Sequence, residues 1–173
     1  MDKNNNNSKP TRRDFIYTLT ATLGVLGAGA SVWPIVSQMN PDSSVKALST
    51  VEVDISKVEE GKEITVMWRG KPVFIKRRTE NEITEARNIS LKELPHPEND
   101  KKRVIKDEWL VVVGICTHLG CVPINGKGEY GGWFCPCHGS HYDTSGRIRK
   151  GPAPTNLEVP KYKFVGEDKI IIG

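Results

Sequence analysis

The sequence predicts an all-β head with one short helical insert, carried on a single N-terminal transmembrane helix. Three features of the 173-residue chain predict it. An uncharged stretch runs from Phe15 to Val36, and β-rich apolar runs separated by turn residues recur from Val51 to the carboxyl end. Between Thr79 and Lys106 that pattern fails, and helix formers from Glu80 to Arg87 give way to polar residues and prolines. The polypeptide beyond the span has the length of one ordinary domain, enough to bury a core.

Residues 1–14 are polar and Asn-rich and close with Thr11-Arg12-Arg13-Asp14. A span needs about 20 mostly apolar residues. Residues 15–36 supply them, although Thr18, Thr20, Thr22 and several Gly make the stretch only moderately hydrophobic. Arg12 and Arg13, with Lys3 and Lys9, place the amino terminus in the cytoplasm by the positive-inside tendency. The arginine pair also reads as a twin-arginine export signal, a route that carries folded proteins. Ala28-Gly29-Ala30 offers the alternative of a signal-peptidase site and a soluble mature protein. Residues 37–50 are small and polar and read as a linker. The net charge is +4, with Lys and Arg scattered rather than massed, so no nucleic-acid partner is expected. Lys101-Lys102-Arg103, offset by Glu98, Asp100, Asp107 and Glu108, is expected to be a solvated loop.

In the head, Glu63-Ile64-Thr65-Val66-Met67-Trp68 and Val73-Phe74-Ile75-Lys76 flank Arg69-Gly70-Lys71-Pro72, which reads as a hairpin turn. Trp109 to Ile115 is a continuous apolar run, expected to be a buried strand leading into the first of two chemical motifs. Tyr162 to Val165 and Lys169 to Ile172 enclose the turn residues Gly166-Glu167-Asp168.

Those motifs are Cys116-Thr117-His118-Leu119-Gly120-Cys121 and Cys135-Pro136-Cys137-His138-Gly139-Ser140. They hold all four cysteines and two of the four histidines of the chain, divided evenly. A Rieske [2Fe-2S] centre needs two thiolates on one iron and two imidazoles on the other. Cys116 and Cys135 are therefore assigned to one iron, His118 and His138 to the other. Cys121 and Cys137 are then spare, and in an oxidising compartment they are expected to close a disulfide over the ligand loops. A structural zinc site also satisfies the ligand arithmetic, and two plain disulfides without metal are a further alternative. Zinc does not account for the spare Cys in each loop, and the crowding of Cys135 and Cys137 around a single Pro suits a turn around a cluster better than two independent disulfides. His96, between prolines, and His141, outside both spacings, are read as ordinary surface or core residues. The hydroxyls of Ser140 and Tyr142 are placed to donate to cluster sulfide or cysteine sulfur, which raises the potential. Gly120 and Gly139 permit tight turns.

The two motifs together with Gly151-Pro152-Ala153-Pro154, the run from Asp143 to Pro154, and Trp68-Arg69-Gly70-Lys71-Pro72-Val73-Phe74 resemble the Rieske iron-sulfur subunit of ubiquinol-cytochrome c reductase, of bacterial or mitochondrial type. The resemblance covers most of the chain from Val51 onward. It implies a Rieske-type antiparallel β sandwich over 51–173, with a cluster-binding subdomain over about 114–155 and one [2Fe-2S] cluster. It further implies that the anchor over 15–36 is retained and that 37–50 is a hinge on which the head swings. The site that it implies has His138 contacting ubiquinol and accepting its proton, with His118 beside it. Pro152 belongs to a loop covering the cluster, Leu119 to an apolar tip around the histidines, and Gly139, Ser140 and Tyr142 to the cluster environment. The implied partners are cytochrome b, a c-type cytochrome, ubiquinol and the membrane, in a complex expected to be dimeric. The expected location is the bacterial inner membrane, single-pass, with the head on the periplasmic side.

Two other readings are carried forward. One is the small Rieske subunit of a periplasmic molybdenum oxidase such as arsenite oxidase, an electron carrier with no quinol chemistry. The other is the plastoquinol counterpart, which Gly132-Trp133-Phe134 and Ser140-His141-Tyr142 disfavour. Soluble Rieske ferredoxins and ring-hydroxylating oxygenases lack the extra cysteine pair.

Overall fold

The computed structural model describes residues 11–40 and 49–173. Residues 1–10, which include Lys3 and Lys9, and 41–48, which make up most of the expected hinge, lie outside the described residues. The chain forms two compact units, dividing between Val45 and Lys46.

The first unit is α1 (Arg12–Ser37), 26 residues long. At 1.5 Å per residue it reaches about 39 Å, longer than the roughly 30 Å hydrocarbon layer. Thr11 caps it and forms a reciprocal capping box with Asp14, so Arg12 and Arg13 occupy the first turn. The threonines that dilute its hydrophobicity do not present free hydroxyls. Thr18, Thr20 and Thr22 each donate at 2.8 Å to the carbonyl four residues earlier, as does Ser31. Such back-bonding satisfies a polar group where no water is present.

Among the described residues the head contains ten strands: β1 (Val51–Asp54), β2 (Glu63–Trp68), β3 (Lys71–Arg77), β4 (Trp109–Val113), β5 (Ile124–Asn125), β6 (Gly131–Cys135), β7 (Ser140–Asp143), β8 (Ile148–Lys150), β9 (Tyr162–Val165) and β10 (Lys169–Ile172). They make three antiparallel sheets, ordered β1-β10-β9, β2-β3-β4 and β5-β6-β7-β8. The sheet β2-β3-β4 is the middle layer. Side chains alternate across a strand, and here both faces are covered. Val73, Ile75, Val111 and Val113 pack with Val53, Ile170 and Ile172 of the first sheet. Phe74, Leu110 and Val112 pack with Trp133, Tyr142 and Ile148 of the third. That double burial is why β4 reads as an unbroken apolar run, and each such side chain contributes roughly 1.5–3 kcal/mol.

The expected hairpin forms with a tighter turn than the sequence indicates. Lys71 and Pro72 belong to β3, paired with Trp68 and Met67. The turn is Arg69-Gly70, with φ of 50° and 74°, the two-residue geometry that matches strand twist. Pro72 lacks an N–H but loses no ladder bond at its carbonyl, which accepts from Gly114 N at 2.8 Å.

The insert forms α2 (Glu80–Asn88), capped by Thr79 and Glu82, followed by two 3-10 turns, Leu91–Glu93 and Asp100–Lys102. Lys101, Lys102 and Asp107 are exposed as expected, but Asp100 and Arg103 are not solvated. Arg103 is 2% exposed and Asp100 1%. Arg103 donates to the carbonyls of Ser145 (2.8 Å) and Leu157 (2.6 Å), and Asp100 accepts from Arg78 and from Ser145 Oγ, both at 2.6 Å. Buried charges persist only when paired and hydrogen-bonded. These are, and they fasten the insert to the sheet β5-β6-β7-β8.

Candidate metal centre

β4 ends under an aromatic lid. Gly114 lies so close to Phe74 that a Cβ there would sit 2.4 Å from its ring. The chain then enters the first motif. The Cys116 carbonyl accepts from Gly120 N at 2.9 Å, and Cys116 N donates to the Cys121 carbonyl at 2.7 Å. The second motif repeats the turn: β6 delivers Cys135, whose carbonyl accepts from Gly139 N at 3.0 Å. Gly120 and Gly139 close the two turns with φ of 83° and 75°, values that L side chains rarely adopt. Each loop therefore turns its histidine outward while its first cysteine stays in the core.

A third loop, residues 151–154, abuts the second. Gly151 has φ 103°, and a Cβ on it would meet the Gly139 carbonyl oxygen at 2.4 Å. Ala153 N donates to Ser140 Oγ at 3.2 Å, and Thr117 Oγ1 donates to the Thr155 carbonyl at 2.7 Å. Thr117, which the sequence reading passed over, thus ties the first motif to the proline loop; the signal for it is only its place between Cys116 and His118.

The structure brings the expected site residues together. Cys116 and Cys135 are buried free thiols. Cys121 and Cys137 form a disulfide joining the two loops. The His118 and His138 rings stand 4.7 Å apart at 87°, and Leu119 beside them is 70% exposed. Tyr142 Oη donates to Cys116 Sγ at 3.2 Å and accepts from Thr117 N at 3.3 Å. Ser140 Oγ, already accepting from Ala153, keeps its own proton free to donate. His96 and His141 are elsewhere engaged. Their Nδ1 atoms accept from Asn156 N (3.3 Å) and Glu129 N (3.2 Å), and His141 packs against Phe134 and Tyr130.

The electrostatics favour a cation held by sulfur. Burial opposes ionisation of Cys116, but hydrogen bonds from Tyr142, the His118 backbone, Cys135 and Ser140 outweigh it and hold its thiol below the ordinary value. Burial and the adjacent Cys116 push Cys135 up. Burial, then Cys116, raises Tyr142 far above the ordinary phenol range, so it remains a donor.

The sulfurs of Cys121, Cys135 and Cys137 also lie within 4.8 Å of one another. They do not make a metal site, because two of them are joined in the disulfide and offer no thiolate. A different set fits a cluster. Two buried thiols are paired with two imidazoles, and His118 Nδ1 is buried with no hydrogen-bond partner. An orphaned buried nitrogen costs about 1–3 kcal/mol, and ligation relieves it.

Comparison with known proteins places this arrangement. The family described as Rieske [2Fe-2S] domain matches residues 49–163, and that described as Ubiquitinol-cytochrome C reductase Fe-S subunit TAT signal matches residues 2–42. The ubiquinol-cytochrome c reductase iron-sulfur subunit of Rickettsia prowazekii is 54% identical over 99% of this chain and 98% of its own. That of Bradyrhizobium diazoefficiens is 54% identical over 95% of each chain. The mitochondrial cytochrome b-c1 complex subunit Rieske of Candida albicans is 50% identical over 98% of this chain and 81% of its own. A chain of a hyperthermophilic respiratory Complex III matches 90% of this chain at 28% identity, with a TM-score of 0.55. The chain thus carries a Rieske [2Fe-2S] domain rather than a zinc site, the apolar α1 is a membrane anchor, and the chain belongs to the iron-sulfur subunits of ubiquinol-cytochrome c reductase.

Proposed function

We propose that this head accepts one electron, coupled to a proton, from ubiquinol bound at cytochrome b, and passes the electron to a c-type cytochrome. The observation that carries the reading is the polarity of the site: thiols at the buried end, and paired imidazoles at the exposed end beside the apolar Leu119. A quinol reaches the imidazole edge without disturbing the core. The cluster, when bound through Cys116, Cys135, His118 and His138, supplies a one-electron acceptor of raised potential.

The remaining chemistry belongs to the chain. The outer nitrogen of His138 accepts a hydrogen bond from the quinol hydroxyl and takes its proton, with His118 alongside. A bound cluster would favour loss of the outer imidazole protons when oxidised and their retention when reduced, so His138 and His118 would couple the quinol proton to its electron. Tyr142 and Ser140 donate toward sulfur and favour the reduced state. The disulfide Cys121–Cys137, Gly139 and the Pro152 loop hold the ligand turns in place. Leu119 excludes water where the quinol docks. Arg12 and Arg13 serve export of the folded head to the periplasmic side of a bacterial inner membrane, and α1 then anchors it as a single pass. Residues 37–50 allow the head to travel between cytochrome b and the c-type cytochrome of a dimeric complex. The near-full-length relatives carry the quinol-reductase name, which sets the molybdenum-oxidase reading aside.

The test is a redox titration of the membrane-bound protein by EPR across neutral to alkaline pH. The midpoint potential is expected to be lower at alkaline than at neutral pH. A constant potential would remove the proton step while leaving an electron carrier.

A further inference from the structure

Glu63 opens β2 on the face turned toward the sheet β5-β6-β7-β8, and it is only partly exposed. Its Oε2 accepts a hydrogen bond from Trp133 Nε1 at 2.9 Å. Trp133 is 0% exposed and stacks on Phe74 with ring planes 2° from parallel. It shares a buried cluster with Cys116, Cys135 and Tyr142.

The surroundings compensate the Glu63 charge poorly. Its cross-strand partner on β3 is Lys76, itself buried. Lys76 Nζ is committed to Glu82 Oε1 of α2 at 2.6 Å and sits over the Trp133 ring. The cation that faces Glu63 is therefore already neutralised by a second carboxylate. Lys62, next in the chain, is exposed, and Arg77 projects to the other face of β3 toward Glu108. From β6 the contact is the neutral indole. A carboxylate with one neutral donor and a spoken-for cation is costly to ionise, and burial, against the pull of the Trp133 bond and Lys76, pushes Glu63 up to about 7.

We propose that Glu63 is a second redox-linked proton site, acting through Trp133 and the apolar layer beneath the cluster, and separate from the ligand imidazoles. Trp133 precedes Cys135 by two residues, about 7 Å along an extended strand, and both belong to one buried cluster. When the quinol electron adds one negative charge at the cluster, Glu63 takes up a proton from solvent; when the electron leaves for the cytochrome, Glu63 releases it. At a separation on the order of 10 Å and an effective dielectric near 20, one charge shifts the redox equilibrium by roughly tenfold. A tenfold change in a one-electron couple is about 59 mV.

The inference rests on the cluster being present, which the EPR signal itself reports. Midpoint potentials of the membrane-bound full chain, native and Glu63→Gln, are measured by EPR between about pH 5 and pH 9. Gln keeps an acceptor oxygen for Trp133 but cannot ionise. The two proteins are expected to agree at the acid end, where Glu63 is neutral. The native potential then falls through neutrality, and the variant stays higher by up to about tenfold in redox equilibrium. A redox infrared difference spectrum should show a carboxylic acid band gained on reduction in the native protein and absent from the variant. Equal potentials at every pH, or a uniform offset at every pH, would overturn the proposal; the second result would mark Glu63 as a support for Trp133 alone.

Discussion

Tyr142→Phe isolates one atom of the centre. Phe fills the same buried space, so the packing of β7 against Trp133 and Ile148 is kept. What is lost is Oη, which donates to Cys116 Sγ at 3.2 Å and accepts from Thr117 N at 3.3 Å. A hydrogen bond to a charged acceptor contributes about 1.5–3 kcal/mol. It exists in both redox states, so only the part that grows with sulfur charge on reduction affects the potential. Taking that part as about a third to a half of the bond gives about 1 kcal/mol, a decrease of roughly 40 mV for one electron. The assay is an EPR redox titration of membranes, with quinol-driven cytochrome c reduction measured beside it. Full EPR amplitude, a lower potential and slower quinol oxidation are expected together. An unchanged or raised potential at full amplitude would refute the donor role of Tyr142.

Other perturbations probe the scaffold. Cys121→Ser removes a cross-link between residues 16 apart, which should destabilise the head by about 3 kcal/mol; thermal loss of the EPR signal at the native temperature would contradict this. Gly151→Ala forces a side chain onto the Gly139 carbonyl at a φ of 103°, with an expected cost of about 2–4 kcal/mol and a labile cluster, both read by thermal denaturation. Glu63→Gln should change stability with pH. Because the folded state raises this carboxyl from 4.5 to about 7, its contribution is full below the lower value and lost as pH rises through the higher. After allowance for its partial exposure, the variant should exceed the native head by about 1–2 kcal/mol at mildly alkaline pH and by nothing at acid pH, a difference that chemical denaturation at the two limits measures.

The centre was legible because its chemistry is local. Two Cys-and-His turns, each closed by a glycine, are each contained in six consecutive residues, and their pairing needs no knowledge of the fold. The apolar strands were legible for a similar reason. β4 is buried on both faces and reads as Trp109-Leu110-Val111-Val112-Val113, while β9 and β10 flank a plain turn. The strands β5 to β8 were not, since they carry ligands, glycines and charges instead of an apolar pattern. Arg103 and Asp100 misled most, and Arg78 and Arg147 gave no signal. As sequence they are surface charges, and only the fold shows Arg147 paired with Asp143 at 2.7 Å and donating to the Ala86 carbonyl. Glu63 was silent for the same reason: its partner Trp133 lies 70 residues away.

The central claim is that Cys116, Cys135, His118 and His138, and no other residues, hold the [2Fe-2S] cluster. EPR of reduced membranes carrying the native chain, each of these four residues changed singly to Ala, and His96→Ala and His141→Ala, measures it directly. A Rieske signal is expected in the native protein and in the His96 and His141 variants, and is expected to be absent from all four ligand variants. A native-like signal in any ligand variant, or its disappearance from a still-folded His141 variant, would contradict the assignment.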